Sequence, residues 1–148
     1  MLSQLLQNPV LITALIAWFL AQFIKPFIEY FRSRAWNWGL WFSSGGMPSS
    51  HSSTIISAMV SIGLNEGFDS SLFALSAAIA MIVIYDAAGV RRQAGIHAQR
   101  INEMINLLLQ GHPISEKELK EVIGHTPREV VGGVILGTVI AWLVWVLW

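Results

Sequence analysis

No cysteine occurs among the 148 residues, which excludes a disulfide framework, a thiol nucleophile and a thiolate metal site. It leaves the redox compartment open. Charge is scarce too: Asp, Glu, Lys and Arg make up 12% of the chain, and nine basic residues cancel nine acidic ones. The charges are unevenly spread, and no nucleic-acid partner is expected. The chain also lacks repeats and low-complexity segments. The start carries neither the basic residues nor the small-residue cleavage site of a signal peptide, so the first apolar run is expected to be retained as a helix. What the chain does have is apolar surface. Hydrophobic residues make up 54% of it and the mean hydropathy is +0.57, too apolar for a soluble domain of this length. One domain over residues 1–148 is expected, an all-α integral membrane helical bundle of about four transmembrane helices with interfacial amphipathic helices beside them.

The first apolar run follows a capping Asn8 and a first-turn Pro9, and is uncharged from Val10 to Ile24. It is predicted to end at Lys25-Pro26, because proline lacks a backbone donor and biases the residue before it away from helical geometry. Pro26 to Arg34 then reads as a short helix restarted at the membrane surface. Trp36, Trp38, Trp41 and Phe42 suit the headgroup level, and Ser43 to Ser50 reads as a loop. A second helix, His51 to Leu64, is short and carries several Ser and Thr residues, so it needs neighbours or a thinned bilayer. Asn65 to Asp69 is a turn, and a third helix runs from Ser70 to Val90, stopped by Arg91-Arg92. Residues 93–123 read as an insertion of interfacial helices. Ala94 to Leu109 carries Ala94, Ile101, Ile105 and Leu108 on one face and His97, Arg100 and Glu103 elsewhere. Ser115 with Glu118 forms a capping box for a second short helix through Ile123. Thr126, Pro127 and Glu129 open a last helix that runs to Trp148.

Spans of alternating direction place all nine Lys and Arg residues on one side or within its interface: Lys25, Arg32, Arg34, Arg91, Arg92, Arg100, Lys117, Lys120 and Arg128. The other side has only Glu66 and Asp69. The positive-inside bias makes the basic side cytoplasmic and turns both termini outward. A multi-pass protein of an inner or plasma membrane is expected.

Three segments on that basic side carry candidate chemistry. Gly46-Met47-Pro48-Ser49-Ser50-His51-Ser52 stands where a helix begins, and unpaired amides at a helix N-terminus can cradle a phosphate. Ordinary serine capping is the bland alternative for Ser49 and Ser50. His51 tips the balance, since imidazole can protonate a leaving oxygen near neutral pH. Lys25 and Arg32, seven residues apart, can return to one face if the helix recovers after Pro26 and could then hold phosphate oxygens, although cations at a helix end are more often interface anchors. Arg91 and Arg92 face the same alternative. His125, four residues before Glu129, could have its ring held by that carboxylate and present its other nitrogen to phosphorus. Thr126 and Glu129 are also a capping box, which would explain Glu129 without chemistry.

In this order, Lys25-x6-Arg32, Pro48-Ser49-Ser50-His51, an Arg, then His125-x3-Glu129 followed by Val130-Val131-Gly132-Gly133-Val134-Ile135-Leu136-Gly137, the chain resembles the type 2 phosphatidic acid phosphatase and vanadium haloperoxidase superfamily. It is closest to that superfamily's small divergent membrane branch, and the resemblance extends from Lys25 to Gly137. It implies that Lys25, Arg32 and Arg91 or Arg92 bind phosphate and that Ser49, Ser50 and neighbouring amides assist. It also implies that His51 is the general acid and that His125 attacks phosphorus with Glu129 orienting its ring. No metal or other cofactor is implied. The chain departs from the family pattern in four places: Ser33 replaces Pro, Ser50 replaces Gly, Glu129 replaces Asp, and the family's Arg-x5-His is split. A rival mapping keeps Arg91-x5-His97 intact but meets Ile101 where the acid should stand.

Asp86, an acid within an apolar helix and about a turn before Arg91, is expected to pair with that arginine and aim it. Two functions follow from these residues. One is a membrane phosphatase acting on a lipid phosphate such as phosphatidate, phosphatidylglycerophosphate or a polyprenyl phosphate. The other is a non-catalytic protein that binds anionic lipid head groups with the same cations. The second needs no pair of histidines. The expected partners are membrane lipid and the lipid-phosphate substrate; homo-oligomerisation is left open.

Overall fold

The computed structural model describes residues 2–43, 45–108 and 125–148. The chain is an all-α membrane helical bundle. In order the elements are α1 (Leu2–Leu6), α2 (Pro9–Ser33), a 3₁₀ turn (Trp38–Phe42), α3 (Ser50–Glu66), α4 (Ser71–Ala88), α5 (Val90–Leu108) and α6 (Pro127–Leu147). Asn8, Ser49, Ser70 and Thr126 cap the N-termini of α2, α3, α4 and α6, each accepting a backbone N–H from the first turn with its side chain.

Among the described residues α2, α4 and α6 are long and apolar enough to cross a membrane. The fourth expected span, α3, has 17 residues and buries Ser50, Ser52, Ser53, Ser57 and Ser61. It is the axis of the bundle, packed against α2, α4 and α6. Large apolar side chains point outward instead, among them Leu15 and Phe19 on α2, Leu75 and Ile82 on α4, and Ile135 and Trp142 on α6. Small and hydroxyl residues inside and large apolar ones outside are what a bundle in lipid requires, because hydrocarbon gives no drive to bury Leu while close backbone approach does favour association.

The contact of α3 with α6 shows how close that approach is. A Cβ on Gly137 would lie 2.5 Å from the Ser53 carbonyl oxygen, and one on Gly133 would collide with the Ser49 carbonyl oxygen and stand 2.9 Å from Ser52 Cβ. On the other side Ser53 Oγ donates to the Ala17 carbonyl of α2 at 3.3 Å. The remaining hydroxyls turn back on their own helix: Thr54 donates to the Ser50 carbonyl (2.7 Å) and Ser57 to the Thr54 carbonyl (2.9 Å).

Two expectations about boundaries are corrected. Helix one does not end at Lys25-Pro26: α2 is a single helix of 25 residues with buried Pro26 inside it, and it stops only at Arg34, in the left-handed region at φ 58°. Neighbouring polar groups offset a missing N–H inside a bundle, so proline is tolerated there as it is not in water. The arginine doublet does not separate a span from a later interfacial helix either. After Gly89, α5 already begins at Val90, so the doublet lies in its first turn and the amphipathic helix starts before residue 93. The expected helix from Ser115 through Ile123 lies outside the described residues.

Candidate functional site

The N-terminus of α3, the N-terminus of α6 and the middle of α2 meet at one end of the bundle. A main-chain bond ties two of them together: the Ser49 N–H donates to the Glu129 carbonyl at 2.9 Å. Beside it the Met47-Pro48 segment packs on Gly132, where a Cβ would lie 3.2 Å from Met47 Cε. The loop before α3 is therefore held against the first turns of α6.

At that junction His125 is 2% exposed, and its Nδ1 lies 3.2 Å from Glu129 Oε2. The same carboxylate oxygen accepts the Thr126 N–H at 3.0 Å, while Thr126 Oγ1 accepts the Glu129 N–H in return. Both sequence readings of Glu129 are thus realised in one atom, which closes the capping box and holds the imidazole. Nε2 of His125 is buried and has no hydrogen-bond partner among the described residues. The rings of His125 and the half-buried His51 stand 6.0 Å apart, centroid to centroid.

Ser49 and Ser50 are buried at the start of α3. The Ser49 hydroxyl accepts from Ser52 N–H (3.3 Å) and from Ser52 Oγ (3.0 Å), so it organises the turn while the amides at its mouth remain at the site. Lys25 is 1% exposed. Its ammonium donates to the Ser43 carbonyl at 2.9 Å and lies within electrostatic reach of Glu129. Gly46, at φ +90°, covers the stem of this lysine, and a Cβ there would be 3.7 Å from Lys25 Cδ. A buried ammonium in an apolar helix is costly unless partnered.

The structure therefore brings together Lys25, Ser49, Ser50, His51, His125 and Glu129. Arg32 is exposed near the C-terminus of α2, about 10 Å farther along the axis at the helical rise. The side chains of Arg91 and Arg92 lie outside the described residues, as does His112. Asp86 is half-buried in the last turns of α4, and His97 is exposed on α5. Among the described residues no three His, Asp or Glu side chains come together as a metal-ligand set. Sequence reasoning missed the Ser43 carbonyl, which acts through a long-range main-chain contact. It named Gly46 and Ser52 within the candidate segment but gave neither a role, because the cover over Lys25 and the pairing with the Ser49 hydroxyl are not revealed by spacing alone.

A family model described as the divergent PAP2 family matches residues 6–140. A Bacillus subtilis protein described as uncharacterized membrane protein YuiD is 40% identical over 145 residues, which cover 90% of this chain and 92% of that protein. No solved structure matches.

Proposed function

The chain belongs to the divergent PAP2 family, and on that premise we propose that it is a multi-pass membrane phosphatase that hydrolyses a lipid phosphate through a phosphohistidine on His125. The observation that carries this reading is the buried His125, with Nδ1 held by Glu129 and Nε2 without a partner among the described residues. An imidazole so oriented has one nitrogen fixed and the other presented for attack.

Nε2 forms a bond to phosphorus as the bond to the lipid oxygen breaks. The departing electron pair goes to that oxygen, which takes a proton from His51 and leaves as a lipid alcohol. Glu129 compensates the positive charge that develops on the His125 ring. Water then attacks the phosphohistidine, His51 takes up the water's proton, and inorganic phosphate departs. Lys25, Arg32 and Arg91 or Arg92 neutralise the equatorial oxygens, and the Ser49 hydroxyl with the first amides of α3 completes the cradle. Asp86 aims the Arg doublet. The site lies on the basic, cytoplasmic side.

Purified protein should release inorganic phosphate from at least one of phosphatidate, phosphatidylglycerophosphate and a polyprenyl phosphate, and His125→Ala should abolish the release. Tight binding of these lipids with no release from any of them would replace this reading with the non-catalytic one, in which the buried Lys25 and its neighbours hold anionic head groups.

A further inference from the structure

The oxygen that takes a proton from His51 carries the lipid, so the first carbons of the departing alcohol must lie beside that ring. A groove of about 300 Å³, at the lower end of small-molecule sites, has Ser50 and His51 at one end. Thr54, Ile55 and Ala58 continue it along one face of α3, and Trp18 of α2 and Val83 of α4 form its sides. It leads inward from the site. Ala58 stands seven residues beyond His51, about 10 Å along α3 at the helical rise. Trp18 is level with the middle of that stretch, since the carbonyl of its neighbour Ala17 accepts from Ser53 Oγ. The indole is 48% exposed, close to the outward-pointing Leu15 and Phe19 of the same helix, so this wall of the groove faces lipid.

The surface that the groove offers beyond His51 suits a hydrocarbon. Thr54 donates its hydroxyl to the Ser50 carbonyl at 2.7 Å, which turns the polar atom back onto its own helix. The side chains of Ile55, Ala58 and Val83 are wholly apolar, and no Lys, Arg, Asp or Glu lines the groove. A methylene chain needs no polar partner there. The phosphate stays at the other end, where the rings of His51 and His125 stand 6.0 Å apart. We propose that this groove holds the hydrocarbon chain attached to the ester oxygen, and that Ala58 and Val83 set how much of the chain it admits.

This placement rests on the phosphatase reading for the position of the ester oxygen; the groove as a site for the chain of a bound lipid phosphate does not. Ala58 is the smallest of the walls, and a larger side chain there would fill the inner end. An extended chain advances about 1.2 Å per bond, so about eight carbons span the stretch from His51 to Ala58. Carbons beyond those lie in the bilayer, where the protein no longer distinguishes them.

The test uses the full chain in nanodiscs and alkyl phosphonates, in which a methylene replaces the ester oxygen so that nothing is released. At equal concentration in the bilayer, octyl and hexadecyl phosphonate should bind alike and butyl phosphonate roughly tenfold more weakly, the discrimination typical of a hydrocarbon pocket. A diazirine on the sixth carbon of the hexadecyl probe should cross-link to Trp18, Val83 or the 54–58 segment. Ala58→Phe should lower the octyl-to-butyl affinity ratio roughly tenfold, because the ring takes the inner end and spares the end beside His51. Val83→Phe narrows the groove from α4 and should lower the same ratio, so it decides the matter if Ala58→Phe does not fold. Equal affinity of butyl and octyl phosphonate for the unsubstituted chain, no binding of either, a ratio that survives in the folded variants, or cross-links elsewhere would overturn the groove. The expected preference and cross-links without phosphate release from any lipid phosphate would sink the phosphatase reading and leave the groove standing. Release without the preference would do the reverse.

Discussion

At the scale of single residues, His125 and His51 are separable because the proposed chemistry uses them in different ways. A substrate with a good leaving group, such as p-nitrophenyl phosphate, needs no proton on its departing oxygen. His51→Ala should therefore lose at least about a hundredfold on a lipid phosphate, within the range of general acid catalysis, and recover much of that loss on the activated ester. His125→Ala should recover nothing, since no leaving group replaces the nucleophile. Equal recovery of both would defeat the assignment. Glu129→Gln should fall between the two, because an amide can still hold Nδ1 at the 3.2 Å seen for the carboxylate but cannot offset the charge on the ring. Its melting temperature should change little, because the amide oxygen can also accept the Thr126 N–H. His97→Ala should keep most of the activity, since that side chain is exposed on α5. A loss as deep as that of His125→Ala would revive the mapping that keeps Arg91-x5-His97 intact.

At the scale of elements, the site depends on how closely α6 lies on α3. Gly137 meets the Ser53 carbonyl with no room for a methyl group, and neither backbone can yield without moving the first turns of both helices, where Ser49 and Glu129 are joined. Gly137→Val should cost at least about 1–3 kcal/mol, as overpacking does, read as a lower unfolding temperature in detergent. Activity should fall below the loss that the folded fraction explains, because the His51 ring is carried on α3 and the His125 ring stands just before the cap of α6. Unchanged stability would mean that the helices are not packed this closely. The spacing Gly133-x3-Gly137 is itself legible as one that lets helices approach closely in lipid. Its partner is not, since a serine-rich helix of 17 residues gives no sign of which hydroxyls face inward.

At the scale of the whole molecule, the proposed orientation rests on the sequence expectation that all nine basic residues fall on one side of the membrane or within its interface. Ala35 and Asp69 are both exposed, just beyond the C-termini of α2 and α3 respectively. In intact cells an impermeant maleimide should label Asp69→Cys strongly and spare Ala35→Cys until the membrane is opened. The reverse pattern would invert the topology and move the site to the outer face.

By itself the sequence determined the class of the molecule and the N-terminal edges of α2, α3, α4 and α6. Caps at Asn8, Ser49, Ser70 and Thr126, and the apolar runs between them, act through neighbours a few residues away, so spacing reveals them. It also singled out His51, His125 and Glu129, because the capping box and the four-residue interval are local. Tertiary structure alone decided that α2 continues through Pro26, that Lys25 is buried against the Ser43 carbonyl, and that α3 rather than an apolar span forms the axis. Each of these depends on groups far apart in the chain that satisfy one another where water is excluded. A proline without its hydrogen bond or a lysine in an apolar helix reads as a boundary until the neighbour that compensates it is in place.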